Sequence, residues 1–323
     1  MKISDDELRG LLHAMLRGEL DTTATVEALT RIESQGVGAR EITVGTEIMR
    51  EHMVRVEVPD GSIDIVGTGG TGLKTLSIST ATAVVVAGCG VPVAKHGNRA
   101  ASSLAGTADT LSQLGVAVGQ DPHRAAGAVA EVGLGFLYAP SHHPALRHVA
   151  EARRQIGSRT LFNRLGPLCN PAEVRHMLVG TAVGSEVEPM ARALASVPDM
   201  SAWVVRGRDG LDEITLADET DVVVVEGGAT IPATVDVEAL GFARVLPEAL
   251  AGGTPEVNAG AVRRLLDGKH GAYRDVVLLN AAAALQIATP AMGWEEPLEM
   301  ARESIDSGAA RAKLDALVEY SRA

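Results

Sequence analysis

The run Gly67-Thr68-Gly69-Gly70-Thr71-Gly72 has almost no side chain, so its backbone N–H groups can approach an anion closely. It matches G-x-G-x-x-G letter for letter, but the dinucleotide fingerprint also needs an acidic residue about 20 positions on to hold a ribose hydroxyl. No Asp or Glu occurs from Ile65 through Ala108. A P-loop fails as well, because Leu73 separates Gly72 from Lys74-Thr75. What both motifs share survives: backbone donors and a helix N-terminus facing an anion.

The acid-free stretch carries Lys74, Lys95, His96 and Arg99 with the hydroxyls of Thr75, Ser77, Ser79, Thr80, Ser102 and Ser103. In a chain of net charge −12 this is a local reversal of sign that suits phosphate. Lys95-His96-Gly97-Asn98-Arg99 follows a predicted strand, Val91 to Ala94, at the carboxyl edge where open α/β sheets bind ligands. Asp212-Glu213 follow a predicted strand, Ala202 to Arg206, and the turn Arg208-Asp209-Gly210, which sets them at the same edge. Adjacent carboxylates in a loop are ordinarily just solvated; opposite a phosphate cradle they hold hydrated Mg²⁺ that also touches substrate phosphates. Of Arg147, Arg153, Arg154, Arg159 and Arg164, read partly as a solvated helix face, Arg153 is the candidate for a two-point bond to a carboxylate. His142-His143 before Pro144 reads as a helix-start loop rather than a metal site.

These groups need elements to hold them. Residues 1 to about 60 read as helices, from Leu8, Leu11, Leu12, Met15 and Leu16 and then Thr25 to Ile32 and Ile42 to Met53. After Pro59-Asp60-Gly61, short apolar runs alternate with amphipathic stretches, the pattern of a largely parallel sheet. Ile63 to Val66, Phe136 to Ala139, Met177 to Val183 and Val222 to Val225 are further predicted strands. Ser79 to Cys89 is predicted as a helix with Ser/Thr caps and Gly90 at its end, and Asp121-Pro122 opens another that runs to Gly133. Asn258 is expected to cap a late helix, with Ala281 to Ala288 and Glu296 to Tyr320 also helical.

The composition bounds the function. The chain has 323 residues, 46% of them hydrophobic and 22% charged, which excludes disorder and suggests about two domains, or one large core with a smaller satellite. The acidic balance disfavours a phosphate-backbone binder, and two Trp, three Tyr and three Phe leave little for base stacking. Neither nucleic acid nor a membrane is an expected partner: no apolar run approaches the ~18 residues of a span, and no signal core follows Met1. Cys89 and Cys169 read as buried thiols of a reducing compartment, the cytoplasm. There is no G-x-S-x-G, H-E-x-x-H or EF-hand loop.

Taken together, Asp64-Ile65-Val66-Gly67-Thr68-Gly69-Gly70, Ile78-Ser79-Thr80, Lys95-His96-Gly97-Asn98-Arg99, Arg159-Thr160-Leu161-Phe162-Asn163, Leu165-Gly166-Pro167-Leu168 with Asn170-Pro171, Asp212-Glu213 and Asn280 to Leu285 resemble the anthranilate phosphoribosyltransferase family across essentially the whole chain. The resemblance implies transfer of a phosphoribosyl group from phosphoribosyl diphosphate (PRPP) to the amine of anthranilate, the second step from chorismate toward tryptophan. It implies a small all-helical domain, residues 1–62 joined by roughly 163–176, beside a larger α/β domain with a mostly parallel central sheet, residues 63–162 and 177–323. The active site would lie in the cleft between them, in a homodimer formed through the helical domain.

By the same resemblance, PRPP is expected at Gly67, Gly70, Thr71, Thr75, Ser77, Ile78, Ser79, Thr80, Lys95, His96, Gly97, Asn98, Arg99, Ala100, Ala101, Ser102, Ser103 and Thr107. Anthranilate is expected at Gly67, Asn98, Arg153, Gly166 and Pro167, and two Mg²⁺ ions per monomer at Ser79, Asp212 and Glu213. Lys95, Asn98 and Arg153 are the catalytic candidates. Three positions depart from the family pattern: Thr71 where Asp is usual, Ser77 where Asn is usual, and Arg164 where an aliphatic residue is common. A pyrimidine nucleoside phosphorylase and a non-catalytic nucleic-acid-binding relative are the alternatives.

Overall fold

The computed structural model describes residues 2–100, 104–289 and 292–323; Ala101, Ser102 and Ser103 of the basic stretch therefore lie outside the described residues. The chain opens with α1 (Asp5–Arg17), α2 (Thr22–Ser34) and α3 (Ala39–Glu51). Local chemistry starts the first two: Ser4 Oγ accepts from Glu7 N at 3.2 Å and Asp21 Oδ1 from Ala24 N at 2.8 Å. Leu8, Leu12, Met15 and Leu16 line the buried face of α1.

An alternating series follows: β1 (Ile63–Gly67), α4 (Ile78–Gly88), β2 (Val93–Gly97), α5 (Thr107–Leu114), α6 (Pro122–Val132), β3 (Leu134–Tyr138), a single turn α7 (Ala139–His142), α8 (Arg147–Ile156), the short α9 (Leu161–Leu165), β4 (His176–Gly180), α10 (Gly184–Ala195), β5 (Ser201–Gly207), β6 (Thr220–Glu226) and β7 (Ala229–Val235). The chain closes with α11 (Pro255–Leu266), α12 (Ala272–Ala288), α13 (Glu295–Asp306) and α14 (Ala309–Arg322). Among the described residues the strands form a seven-stranded sheet in the order β3-β2-β1-β4-β5-β6-β7. β3 through β5 pair in parallel, and β6 and β7 add antiparallel at one edge.

Both faces of the sheet are buried, as parallel strands require. Leu178 and Ile65 join one core with α4 and α12, while Met177, Val179 and Ala94 join another with α1, α3 and α10. The segment after α9 runs back over the helical start: Arg50 Nη2 donates to Leu168 O at 2.9 Å, and Val56 N to Pro171 O at 3.2 Å. Asn170 joins that segment to the sheet, with Nδ2 donating to Asp64 Oδ2 and to Ala94 O, each at 2.8 Å.

Several expected boundaries move. β2 runs from Val93 to Gly97, so Lys95, His96 and Gly97 belong to the strand, paired in register with β3, rather than to a loop behind it. α4 begins at Ile78, and its preceding Ser77 makes no side-chain cap; that hydroxyl lies 2.8 Å from Thr110 Oγ1 and accepts from Asn258 Nδ2 at 3.2 Å. Asn258 sits inside α11 behind the true cap position Thr254, its Oδ1 accepting from Gly253 N at 3.0 Å. The expected helix from Glu296 to Tyr320 breaks at Gly308, whose φ of 80° suits glycine. β7 carries Pro232 and is largely exposed, which only an edge strand tolerates.

His143, in the loop after α7, holds the returning segment through Nε2 and Cys169 O at 3.0 Å. Burial pushes its imidazole from 6.5 down to about 4, so it stays neutral at pH 7. Since folding depresses this pKa, the stability it contributes is whole above pH 6.5 and is lost as the pH falls through about 4. Wild type should therefore lose more stability between those two values than His143→Gln, whose amide can still donate to Cys169 O, with a gap growing to about 3 kcal/mol at the acid end. Parallel pH profiles of the thermal midpoint would refute this.

Candidate active site

β1 and β4 end side by side, Gly67 in register with Gly180. Here the chain order reverses across the sheet, since β1 has β2 on one side and β4 on the other; such switch points are where open α/β sheets bind ligands. The segment after β5 folds over both strand ends. A Cβ on Gly180 would lie 1.6 Å from the carbonyl oxygen of Asp212, and one on Gly67 2.4 Å from its Oδ2. Bare backbone at both positions is what lets Asp212 come so close. Asn280, from α12, fixes the next turn, its Oδ1 accepting from Ile214 N at 3.0 Å and its Nδ2 donating to Ile214 O at 2.9 Å.

Asp212 Oδ2 accepts from Gly69 N at 2.9 Å, so the acidic pair and the glycine loop are in direct contact. The loop is less bare than its sequence suggests. Thr68 N donates to Gly180 O at 2.9 Å, and Leu73 N to Thr71 Oγ1 at 3.0 Å. Nor does the loop open the helix: Thr75 intervenes in an antiparallel bridge with Ala251. Gly69, Gly70 and Gly72 all have φ between 62° and 72°, the region where glycine is favoured.

Ile65, Ser79, Gly180, Asp212, Glu213 and Asn280 are among the residues lining one small cavity at this edge. Lys95 enters from β2, with Nζ donating to Ile65 O at 2.5 Å and to Ser79 Oγ at 3.3 Å. Burial pulls its ammonium down to about 8 against the opposing pull of Asp64, Glu213 and Asp212. Asp212 and Glu213 keep some contact with solvent, yet burial raises both above the usual carboxylate range, Glu213 further because Asp212 is beside it. Glu213 Oε2 is buried without a partner. Two crowded acids, one with an idle oxygen and a serine hydroxyl nearby, fit a dication. Among the described residues no group of three or more His, Cys, Asp and Glu side chains forms a metal cluster, so an ion here would complete its shell with water and phosphate oxygens, as Mg²⁺ does.

The other expected residues are distributed around this centre. Thr80 lines a separate small cavity with Lys95 and Phe136, its Oγ1 unpartnered. Ser77 turns toward Thr110 and Asn258, and its carbonyl accepts from Tyr273 OH at 2.9 Å. Ile78 buries its side chain in the core. His96, one residue past Lys95, sets its ring 5.1 Å from that of His143, tilted by 56°, and is held neutral by burial; the Gly166 backbone faces it too. Gly166 and buried Pro167 follow α9. Gly97 leaves space for Phe136 and Thr107, 3.1 and 3.3 Å from where its Cβ would be. Asn98 and Arg99 are exposed, and Asn98 Oδ1 accepts from Arg99 N at 2.7 Å. Arg153, on α8, lies 5.8 Å from the Phe162 ring centroid, and burial alone lowers its pKa.

Sequence reasoning missed Asp109. Its Oδ1 accepts from Arg99 Nη1 at 2.7 Å, and its Oδ2 from Ala100 N and Gly106 N at 2.9 and 3.0 Å, bracing the loop between β2 and α5. The signal was there, since an acid two residues into a helix that follows glycine is a capping position. It also missed Glu186, which joins Arg159 and Arg164; neither arginine is the solvated surface residue expected.

Comparison with known proteins decides the family. Residues 60–311 match the glycosyl transferase family, α/β domain. An anthranilate phosphoribosyltransferase of Methylobacterium nodulans is 47% identical over 99% of this chain and 95% of its own length. The chain belongs to the anthranilate phosphoribosyltransferase family. A family member from Thermomicrobium roseum is 48% identical over 98% of this chain and 93% of its own. The crystal structure of the Thermus thermophilus enzyme, 39% identical, superposes with a TM-score of 0.93 over 100% of this chain and 97% of that one. The Saccharomyces cerevisiae family member in complex with PRPP and Mg, 27% identical, gives a TM-score of 0.89 over 99% and 94%. This chain is thus a transferase with the family's helical start and mostly parallel sheet.

The close approach of Asp212 to Gly180 supplies a test. Gly180→Ala should displace the acidic pair by an ångström or more and lower the family's reaction about a hundred-fold, with far-ultraviolet circular dichroism unchanged. Near wild-type turnover would show that the pair tolerates displacement.

Proposed function

We propose that this enzyme transfers the phosphoribosyl group of PRPP to the amine of anthranilate with release of diphosphate, the second step from chorismate toward tryptophan. The observation that carries the reading is the bond from Gly69 N to Asp212 Oδ2, which joins the glycine loop to the acidic pair at the switch point of the sheet. Relatives add weight: structures of the yeast family member have been solved in complex with PRPP and Mg and in complex with 4-fluoroanthranilate.

In this reading PRPP spans the Gly67–Gly72 loop, the segment from Thr75 to Thr80 and that from Lys95 to Thr107. Ser79, Asp212 and Glu213 hold Mg²⁺, two ions per monomer, which when bound supplies positive charge against the leaving diphosphate. Lys95, protonated at neutral pH with its pKa near 8, adds charge on the same side. Breaking the bond from the anomeric carbon to diphosphate leaves the sugar positive and the leaving group negative. The anthranilate amine is neutral and already nucleophilic, so the chain needs no strong base and acts mainly by holding the two substrates in line. Arg153 is half-buried, and the ring of Phe162 supports its guanidinium. It takes the anthranilate carboxylate, while Asn98 and the turn at Gly166-Pro167 bound the aromatic ring.

The helical domain is read as residues 1–62 with 163–176, supported by the bonds from Arg50 to Leu168 and from Val56 to Pro171. The same reading takes the enzyme to be a cytoplasmic homodimer associating through that domain; the unbridged Cys89 and Cys169 suit a reducing compartment.

Loss of anthranilate fluorescence on adding PRPP and Mg²⁺ tests the activity directly, and no loss would overturn it. Arg153→Ala should raise the anthranilate KM about a hundred-fold, the scale of a charge-assisted bond, and the PRPP KM far less; equal changes would remove the carboxylate role. Asp212→Asn combined with Glu213→Gln should abolish the Mg²⁺-dependent rate, and full retention would remove the metal role.

A further inference from the structure

Arg159 precedes the short helix α9 and Arg164 lies in its last turn, and both reach Glu186 in the first turn of α10. Glu186 is only 4% exposed. Arg159 Nη2 donates to its Oε2 at 2.9 Å, Arg164 Nε to its Oε1 at 2.7 Å, and Thr181 Oγ1 to its Oε2 at 3.0 Å. The chain of charge extends both ways. Outward, Arg164 Nη1 donates to both carboxylate oxygens of Glu33 on α2, at 3.1 and 3.0 Å. Inward, Arg159 Nη1 donates to the carbonyl of Gly69 at 3.1 Å. Four charged side chains thus connect a helix of the N-terminal region to one peptide of the glycine loop.

Apart from a longer bond from Thr68 Oγ1 to the same carbonyl, at 3.3 Å, that peptide has few other means of orientation. Gly69 and Gly70 both sit at positive φ, 62° and 71°, with no side chain to pack. Because a trans peptide points its C=O and N–H in opposite directions, holding the Gly69 carbonyl toward Arg159 aims the Gly70 N–H away from it. Arg159 in turn depends on Glu186, a buried carboxylate that requires its cationic partners. Arg164 has one planar fork for two acids on different elements, so its orientation depends on where α2 sits.

We propose that Arg164 is a positioning residue for PRPP: acting through Glu186 and Arg159 it fixes the Gly69–Gly70 peptide, and through Glu33 it makes that peptide's aim depend on the seating of α2. The inference rests on the glycine loop being part of the PRPP site. It predicts an effect on one substrate, which a general loss of stability would not give.

The test is steady-state kinetics with both substrates varied. Arg164→Leu should raise the PRPP KM about ten-fold, the scale of lost support behind a binding group, with the anthranilate KM little changed, and Arg164→Lys should restore part of the loss. Glu33→Gln, at the partly exposed outer end, should raise the same constant by less. In an Arg159→Leu background, adding Arg164→Leu should give no further rise, because both act through one contact. An unchanged PRPP KM in Arg164→Leu, equal rises for both substrates, or additive effects in the double variant would overturn the proposal. If Arg164→Leu does not fold, a wild-type PRPP KM in both Arg164→Lys and Glu33→Gln would overturn it too. Turnover by wild type tests the site separately: an inactive wild type sinks the site assignment, whereas an active wild type with unaffected variants sinks only the role of Arg164.

Discussion

The site depends on a steric permission. Two parallel strands end in glycine at the same level, and Asp212 occupies the space their side chains would fill, its carbonyl oxygen 1.6 Å from a Cβ position on Gly180 and its carboxylate against that of Gly67. Neither glycine is needed for a turn, since both complete regular strands in register. Their value is the missing atom. It lets a segment arriving from the fifth strand lie flat against the first and fourth, bringing an acid of one loop to the amide of another. The antiparallel edge formed by β6 and β7 sits directly after this segment and sends it back across the sheet edge.

Charge then balances what geometry has forced together. Lys95, Asp64, Asp212 and Glu213 share one region of low solvent access, and each is shifted toward its neutral form, Lys95 to about 8 and Asp64 to about 6. No one of them would be stable ionised there alone. Asp64 also does structural work: it accepts from His96 N at 3.0 Å and from Asn170, and so sets the height of β2 and the path of the returning segment together. The raised acids and the unpartnered Glu213 Oε2 together suit a cation at this place.

The sequence made the chemistry easier to read than the boundaries. The glycine loop, the Lys95 to Arg99 block and Asp212-Glu213 were identifiable because residue type and order carried the signal, and the structure brings all three to one sheet edge. Periodicity failed where charge enters a buried strand. Lys95 and His96 looked like loop residues, yet β3 beside them and the cores on either face hold them in β2. β7 was hidden by its proline and its exposed pattern, and the gap between α13 and α14 by helical periodicity that continues across Gly308. Asp109 and Glu186 could not be assigned from order alone, because each acts on groups that the fold brings together: Asp109 on two backbone amides across its loop, and Glu186 on Arg159, 27 positions earlier.

Two departures from the family pattern keep a local anchor by other means. At Thr71, where an acid was expected, Oγ1 accepts from Leu73 N at 3.0 Å and so closes the turn a carboxylate would close in the same way. What is lost is a negative charge within the glycine loop, a change that would favour an anion there rather than oppose it. At Ser77, where an amide was expected, the shorter hydroxyl reaches Thr110, and the amide of Asn258 donates to it from α11. The amide group is thus supplied at this spot by another element, and the segment leading into α4 keeps its anchor even though the residue at its start has changed.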